Sequence, residues 1–386
     1  MNILIAQSGG PTSVINMSLY GAVRKAFAEK QIKHIYGSVN GIEGVLNDRL
    51  ILLEKKLVEI EKASNQPGSI LGGSRYSLQE GDLEKIINKM ETFNIKVFYY
   101  IGGNGSARTV KALHHCAKHQ GKELRFIHIP KTIDNDLYGT DHTPGYPSAA
   151  NFLSHAVQWI GTDMESMKTY GQIEIIEAMG GNTGWLASAS AIAKSSEEQY
   201  PQLVYLPEEK KSLSQILKEV ESSYQKYGKL MMIIPDHFFI QGILSEASAN
   251  TTRAGYNGGV AYQLAAQIIN NLGYKTKITI PGTLYRSAYS FTSKQDLKEA
   301  RILGETAVEQ AMKGISGVMM CIKRLSNKPY DVEIITKDLE NIAGKEKAFP
   351  KEFWDKEKHM PTNKYKTYLL PLLEYSFLKP LTLLEK

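Results

Sequence analysis

Five short β-rich runs, each ending in a glycine, proline or carboxylate turn, constrain this chain more than any other feature. Asn2 to Ala6 is apolar and is broken by Gly9-Gly10-Pro11-Thr12, after which Val14, Met17, Leu19, Val23 and Phe27 recur at roughly helical spacing. Lys96 to Ile101 leads into Gly102-Gly103 and then into helical character from Ala107 to Cys116, and Arg125 to Ile129 stops at Pro130. Gln172 to Glu177 and Leu230 to Ile234 repeat the theme. Strands alternating with helices predict an α/β fold in which mainly parallel sheets carry helices on both faces. Ligands bind such sheets beyond the C-terminal ends of the strands. In this chain those ends hold the glycines and the polar clusters.

The chain has 386 residues, more than one hydrophobic core usually covers, so two domains are expected. Turn formers concentrate in the stretch from Thr140 to Pro147, which sets the expected segments at 1–142, 143–325 and a charged, aromatic C-terminal extension at 326–386. The chain is expected to cross back between lobes, and the extension to pack on the body or on a partner chain. A small, polar loop at about Gln241 to Gly259 reads as mobile. Lys and Arg exceed Asp and Glu by 46 to 40, a mild excess that suits anionic small molecules. No basic run with interleaved aromatics favours nucleic acid. Two cysteines, Cys116 and Cys321, make no disulfide framework and fit a reducing, cytoplasmic setting. No apolar run approaches the roughly 18 residues of a membrane helix, and MNILIAQ reads as a strand without a basic secretion leader.

Three glycine loops and one acid pair carry the chemistry. Ser8-Gly9-Gly10-Pro11-Thr12 follows a strand and opens a helix, and reads equally as a phosphate loop or a steric turn. Gly102-Gly103-Asn104-Gly105-Ser106 has more glycine than a tight turn needs, which favours phosphate contact. Gly68 to Arg75 ends a third such stretch with a cation. Neither the Walker A lysine pattern nor the spaced dinucleotide fingerprint is present. The most informative segment is Pro130-Lys131-Thr132-Ile133-Asp134-Asn135-Asp136. On an extended backbone Asp134 and Asp136 face one side. One could take a proton from a hydroxyl while the other holds Mg²⁺ or orients the first, and Lys131 could neutralise a transferring phosphoryl group. The competing reading is an Asp/Asn-rich surface turn. His114 and His115 read as surface histidines, Trp185 as core, and Glu208 to Lys211 as a solvated helix start.

PKTIDND, together with SGGPT, GGNGS, GTDHTPG at 139–145 and MGGNTGWLA at 179–187, resembles the phosphofructokinase family from residue 1 to about Arg324, most closely its pyrophosphate-dependent branch. The resemblance implies a homodimer or homotetramer whose subunits have two Rossmann-like three-layer lobes. It implies Mg²⁺-assisted phosphoryl transfer from pyrophosphate or ATP to the 1-hydroxyl of fructose 6-phosphate. It implies small-molecule donor and acceptor partners, with neither nucleic acid nor membrane. Position by position, Asp134 would be the base, with Asp136, Thr132 and Lys131 completing the catalytic group. Gly9, Gly10, Arg75, Gly103, Asn104, Gly105 and Ser106 would line the donor, and Asn104 and Asp136 would hold the metal. Gln172, Met179, Gly180, Asp236, Lys277, Tyr285 and Arg286 would face the acceptor.

Several positions depart from the family pattern. Asn104 stands where an acid usually holds the metal. Gly105 removes an Asp that obstructs nucleotides in the pyrophosphate-type pattern, whereas Lys131 matches pyrophosphate users, so these two positions leave the donor open. Gly181 replaces an arginine, Pro235-Asp236-His237 replaces S-E-G, and Gln172 and Lys277 stand where arginines can reach a neighbouring subunit's sugar 6-phosphate. Each charge-assisted contact of that kind contributes about 1.5–3 kcal/mol, and lysine cannot reproduce arginine's fork. Tyr285, His237 and Gln172 suit hydroxyls, which motivates an unphosphorylated polyol or sugar as the alternative acceptor. Arg253 or Lys168 could instead fill in for the missing arginines. Asn104 and Gly181 also motivate a catalytically weak regulatory homologue, against which Thr132, Asp134 and Asp136 stand intact.

Overall fold

A computed structural model describes residues 1–167, 169–170, 172–243, 259–374, 377, 381 and 384. Arg253, Lys168 and most of the 241–259 loop lie outside the described residues. The chain divides into two compact units, one formed by Met1–Ser148 with Arg286–Lys347 and the other by Ala149–Tyr285 with Ala348–Lys386. The crossing after Ser148 falls inside the helix Tyr146–Ser166, a few residues beyond the turn-rich stretch that suggested 142. Residues 286–325, expected with the second lobe, cluster with the first because the strand Val318–Asn327 completes its sheet.

The strands β1 (Asn2–Gln7), β2 (His34–Ser38), β3 (Leu50–Leu52), β4 (Ile95–Gly102) and β5 (Arg125–Pro130) begin unit one. Unit two holds β6 (Ile173–Ala178), β7 (Leu203–Val204), β8 (Lys211–Ser212), β9 (Leu230–Pro235), β10 (Ile240–Gln241) and β11 (Thr276–Thr279). Then β12 (Val318–Asn327) and β13 (Tyr330–Asp338) return to unit one. Its sheet runs β13-β12-β5-β4-β1-β2-β3, parallel throughout except for the two edge strands β3 and β13. Period-two alternation splits each central strand between two cores. Ile3, Ile5, Val97 and Tyr99 face the helices Ile15–Ala28 and Lys294–Met312, while Leu4, Ala6, Phe98 and Tyr100 face Asp82–Thr92 and Asn104–His119. Each Leu, Ile or Val so buried contributes roughly 1.5–3 kcal/mol. Helical spacing misplaced one residue: Phe27 is exposed, and the buried stripe of its helix runs through Ile15, Leu19, Ala22, Val23 and Ala26.

In unit two the sheet β11-β6-β9-β7 is wholly parallel. Trp185 is core, as expected, meeting Phe349 edge-on with centroids 5.1 Å apart, and the Tyr365 hydroxyl donates to its carbonyl at 2.7 Å. The described residues from Ala348 to Glu374 therefore belong to the body of unit two. Glu208 is exposed ahead of the helix Leu213–Tyr227, as expected, yet it also makes specific contacts. Its carboxylate accepts the N–H groups of Gly184 and Phe349, both at 3.1 Å, which fastens the tail to the MGGNTGWLA loop.

Candidate active site

Parallel register places the three key loops of unit one side by side. Gln7 of β1 lies opposite Ile101 of β4, and Gly102 of β4 lies opposite Pro130 of β5. The segments starting at Ser8, Gly103 and Lys131 therefore leave neighbouring strands at the same sheet edge. The crossovers from β1 go to β2 on one side and towards β4 on the other, the switch point at which open α/β sheets bind ligands. The third glycine stretch joins them, because the Gly9 N–H donates to the Ser74 carbonyl at 2.9 Å.

Lys131 is the centre of this cluster. It is 3% exposed, and its Nζ donates to the Gly10 carbonyl at 2.7 Å. Gly9 has φ +74°, and a Cβ there would lie 3.2 Å from Lys131 Nζ. A Cβ on Gly10 would collide with the Arg286 guanidinium. These two glycines thus make room for two cations. Burial lowers Lys131 to about 8, with Asp134 and Asp136 pulling upward and Arg286 and Arg75 pushing downward. Three cations and two carboxylates consequently feel one another at one sheet edge. Arg286, expected to face the acceptor, packs on the loop at Gly10, and among the described residues its buried Nε has no hydrogen-bond partner. Ser106 is buried and Gly103 caps the helix Asn104–His119, so amide N–H groups of its first turn face the loop.

The acid pair does not sit on an extended backbone. Asn135 has φ +56°, a left-handed turn, and the Asp134 N–H donates to Thr132 Oγ1 at 3.1 Å. The carboxylates remain coupled all the same. Burial and then the charge of Asp134 push Asp136 up to about 6, against a hydrogen bond from Asn104 Nδ2 at 2.8 Å. The other amide atom, Asn104 Oδ1, is buried and has no hydrogen-bond partner among the described residues. An orphaned amide oxygen beside a carboxylate fits two hard oxygen ligands of a Mg²⁺ ion, whose remaining ligands would be phosphate oxygens and water. Gly105 is exposed, and a Cβ there would meet nothing within 4 Å.

Buried charge supports the loop from behind. Asp296, fully buried, accepts from the Gly145 and Ser148 N–H groups and from Ser148 Oγ at 2.6 Å. The sequence signal for it is the S-x-x-D cap formed with Ser293. His142 bridges Asp141 at 2.8 Å and Glu299 at 2.6 Å. Burial opposes its charge, yet Glu299 and Asp141 carry it up to about 9. A histidine raised in the folded state stabilises fully below about 6.5 and loses that contribution as pH climbs to about 9. Wild-type unfolding free energy should therefore fall by on the order of 3 kcal/mol across that window. His142→Gln, which leaves the buried Glu299 without its cation while Asp141 keeps Arg324 at 2.8 Å, should cost about 3–5 kcal/mol and flatten the profile. Urea unfolding from pH 6 to pH 9 checks both, and an unchanged slope in the variant would refute the assignment.

The expected acceptor residues divide in unit two. Ala178 of β6 lies opposite Pro235 of β9, so Met179-Gly180 and Asp236 emerge from adjacent strand ends. Gln172 does not offer its amide to a ligand: Oε1 accepts the Lys275 N–H at 2.7 Å and Nε2 donates to the Tyr224 hydroxyl at 3.1 Å. Tyr285 is 2% exposed, and its hydroxyl donates to the Glu177 carbonyl at 3.2 Å. Both serve the fold. Lys277 is exposed, 3.7 Å from Asp163.

Known proteins share the sequence and the fold of this chain. The phosphofructokinase family model matches residues 2–311. A pyrophosphate–fructose 6-phosphate 1-phosphotransferase of Xanthomonas campestris is 35% identical, over 97% of this chain and 91% of its own length. A sulfofructose kinase of Alkalicoccus urumqiensis is 31% identical over 93% of both chains. The crystal structure of a pyrophosphate-dependent phosphofructokinase from Marinobacter aquaeolei superposes with a TM-score of 0.87 at 29% identity, covering 99% of this chain and 93% of that one. With its glycine loops, buried lysine and acid pair at one sheet edge, and a family match across most of its length, this chain belongs to the phosphofructokinase family.

Proposed function

We propose that this protein is a phosphotransferase that moves a phosphoryl group from pyrophosphate or ATP to a hydroxyl of fructose 6-phosphate or a related sugar phosphate. The observation that carries this reading is the buried Lys131 ammonium on the Gly10 carbonyl, electrostatically coupled to Asp134 and Asp136. Asp134 takes the proton of the acceptor hydroxyl. A bond forms from that oxygen to the terminal phosphorus, and the bond from phosphorus to the bridging oxygen breaks with its electron pair leaving on the departing phosphate or ADP. Lys131, Arg75 and Arg286 offset charge on the transferring group, while loop N–H groups orient the donor. Asp136 and Asn104 Oδ1 would hold Mg²⁺, which when bound supplies further positive charge to the donor oxygens.

The space at Gly105 suits a nucleotide, and the 35% identical relative is named for pyrophosphate, so both donors belong in the test. For the acceptor, the polyol alternative rests on Gln172, Gly181 and Lys277, with Tyr285 and His237 as further hydroxyl partners; of these, the Gln172 amide and the Tyr285 hydroxyl are engaged within the fold. That favours the phosphorylated sugar. Acceptors, including fructose 6-phosphate, its 6-sulfo analogue, free fructose and inositol, should be assayed with each donor. Efficient turnover is expected for the anionic sugars only, and preferential turnover of a free polyol would overturn the assignment. On the same reading the protein works in the cytoplasm, where Cys116 and Cys321 stay thiols, as a homodimer or homotetramer. Among the described residues no helix is long and apolar enough to cross a membrane.

A further inference from the structure

One cation next to the acid pair has no part in the mechanism above. Lys347 lies in the C-terminal stretch beyond β13, 212 positions from Asn135. An ammonium has three donors, and here each has an acceptor: Asn135 Oδ1 at 3.1 Å, the Thr140 carbonyl at 3.2 Å and the Asp141 carbonyl at 2.7 Å. The backbone continues the attachment. The Lys347 N–H donates to the Asp136 carbonyl at 2.7 Å, and Glu346 bridges antiparallel with Leu137.

Asn135 is the residue through which this matters. It stands between the two acids in the left-handed region at φ +56°, and it is fully buried. Its Oδ1 also accepts the Thr143 N–H at 3.0 Å. A single amide oxygen is thus held by the GTDHTPG loop on one side and by the tail's ammonium on the other. Left-handed backbone is uncommon outside glycine and persists where surrounding contacts hold it. The torsions at Asn135 set where Asp134 and Asp136 lie relative to each other. Burial disfavours the charge on Lys347, lowering it to about 7, with Asp141 and Asp136 pulling the other way. Methionine would fill the same space without that penalty.

We propose that Lys347 is a positioning residue for phosphoryl transfer: through Asn135 and the Thr140 and Asp141 carbonyls, its ammonium keeps the Asp134 and Asp136 carboxylates in their working arrangement. This rests on the function proposed above and deepens it. A misplacement of about 1 Å at reacting groups can cost about a hundredfold in rate. Lys347→Met keeps the backbone pairing and the chain length but removes all three side-chain donors. It should lower kcat by about 10- to 100-fold with KM for donor and acceptor within threefold, in protein whose circular dichroism and cooperative unfolding match the parent. Lys347→Arg, which retains the charge with a wider fork, should lose less, about fivefold. Lys345→Met, an exposed neighbour, should leave kcat unchanged.

Folded Lys347→Met with kcat within twofold of the parent, or a loss confined to KM, would overturn the proposal. Should that variant not fold, Lys347→Arg decides alone: a kcat loss of fivefold or more at constant KM supports positioning, and kcat within twofold refutes it. Asp134→Ala, assayed beside them, separates the two levels. Parental activity in Asp134→Ala would refute the base assignment itself, whereas its loss together with an active Lys347→Met would refute only the role of Lys347.

Discussion

Asp134→Ala should abolish measurable phosphoryl transfer, lowering kcat by about 10²–10⁴-fold, while donor affinity stays within a few-fold of the parent. The expectation follows from two features of the carboxylate. Asp134 is partly exposed at the sheet edge, so a ligand can reach it, and its own N–H is tied to Thr132 Oγ1 at 3.1 Å, which anchors the turn that carries it. Asp136 is pushed up to about 6 by burial and by Asp134, and its bond from Asn104 holds it next to the orphaned amide oxygen. On the proposed function the two acids divide their roles: Asp134 is open to a proton, and Asp136, engaged by Asn104, would hold the cation. Rapid-quench single turnovers with pyrophosphate and with ATP, together with calorimetric donor binding, would measure the effect. Asp134→Asn should match the alanine variant, since an amide retains the shape but accepts no proton at neutral pH. Transfer at the parental rate in both would exclude Asp134 as the base.

Lys131→Met should cost about 10²–10³-fold in kcat/KM for the donor. The ammonium is buried and held by one carbonyl, so the charge it presents is desolvated and already in place before reaction. Removal also leaves Arg75, Arg286 and Lys347 as the cations around the acid pair. The same residue predicts a pH effect with a definite sign. Burial lowers its folded value to about 8, so the positive charge is lost as pH rises through 8, and kcat/KM for the donor should fall above that point. Arginine stays charged throughout this range. In Lys131→Arg the alkaline limb should therefore vanish from that position, whatever the absolute rate. A limb persisting near pH 8 in the arginine variant would assign it to another group.

Much of this site was legible from residues alone, and the exceptions share a cause. β1, β4, β5, β6 and β9 appear within about a residue of the runs that predicted them, because strands buried on both faces must be continuously apolar. The glycine loops were legible because close backbone approach needs glycine at fixed offsets, as where Gly9 and Gly10 admit Lys131 and Arg286. Gln172 and Tyr285 misled, since hydrogen-bonding side chains look alike in sequence whether they face a ligand or, as here, Lys275, Tyr224 and Glu177. Arg286 was expected at the acceptor and lies on Gly10. Lys347 carries no local signal at all: in Gly344-Lys345-Glu346-Lys347 it looks like one more solvated charge.

Local pattern by itself thus determined the strand set, the parallel sheets and the three glycine loops, together with the acid pair, because each depends on residues a few positions apart. Only the tertiary structure decided the left-handed turn that separates Asp134 from Asp136, the burial that brings Lys131 down to about 8, and the tail lysine on Asn135. Those depend on desolvation and on contacts between segments up to 212 positions apart, which no periodicity encodes.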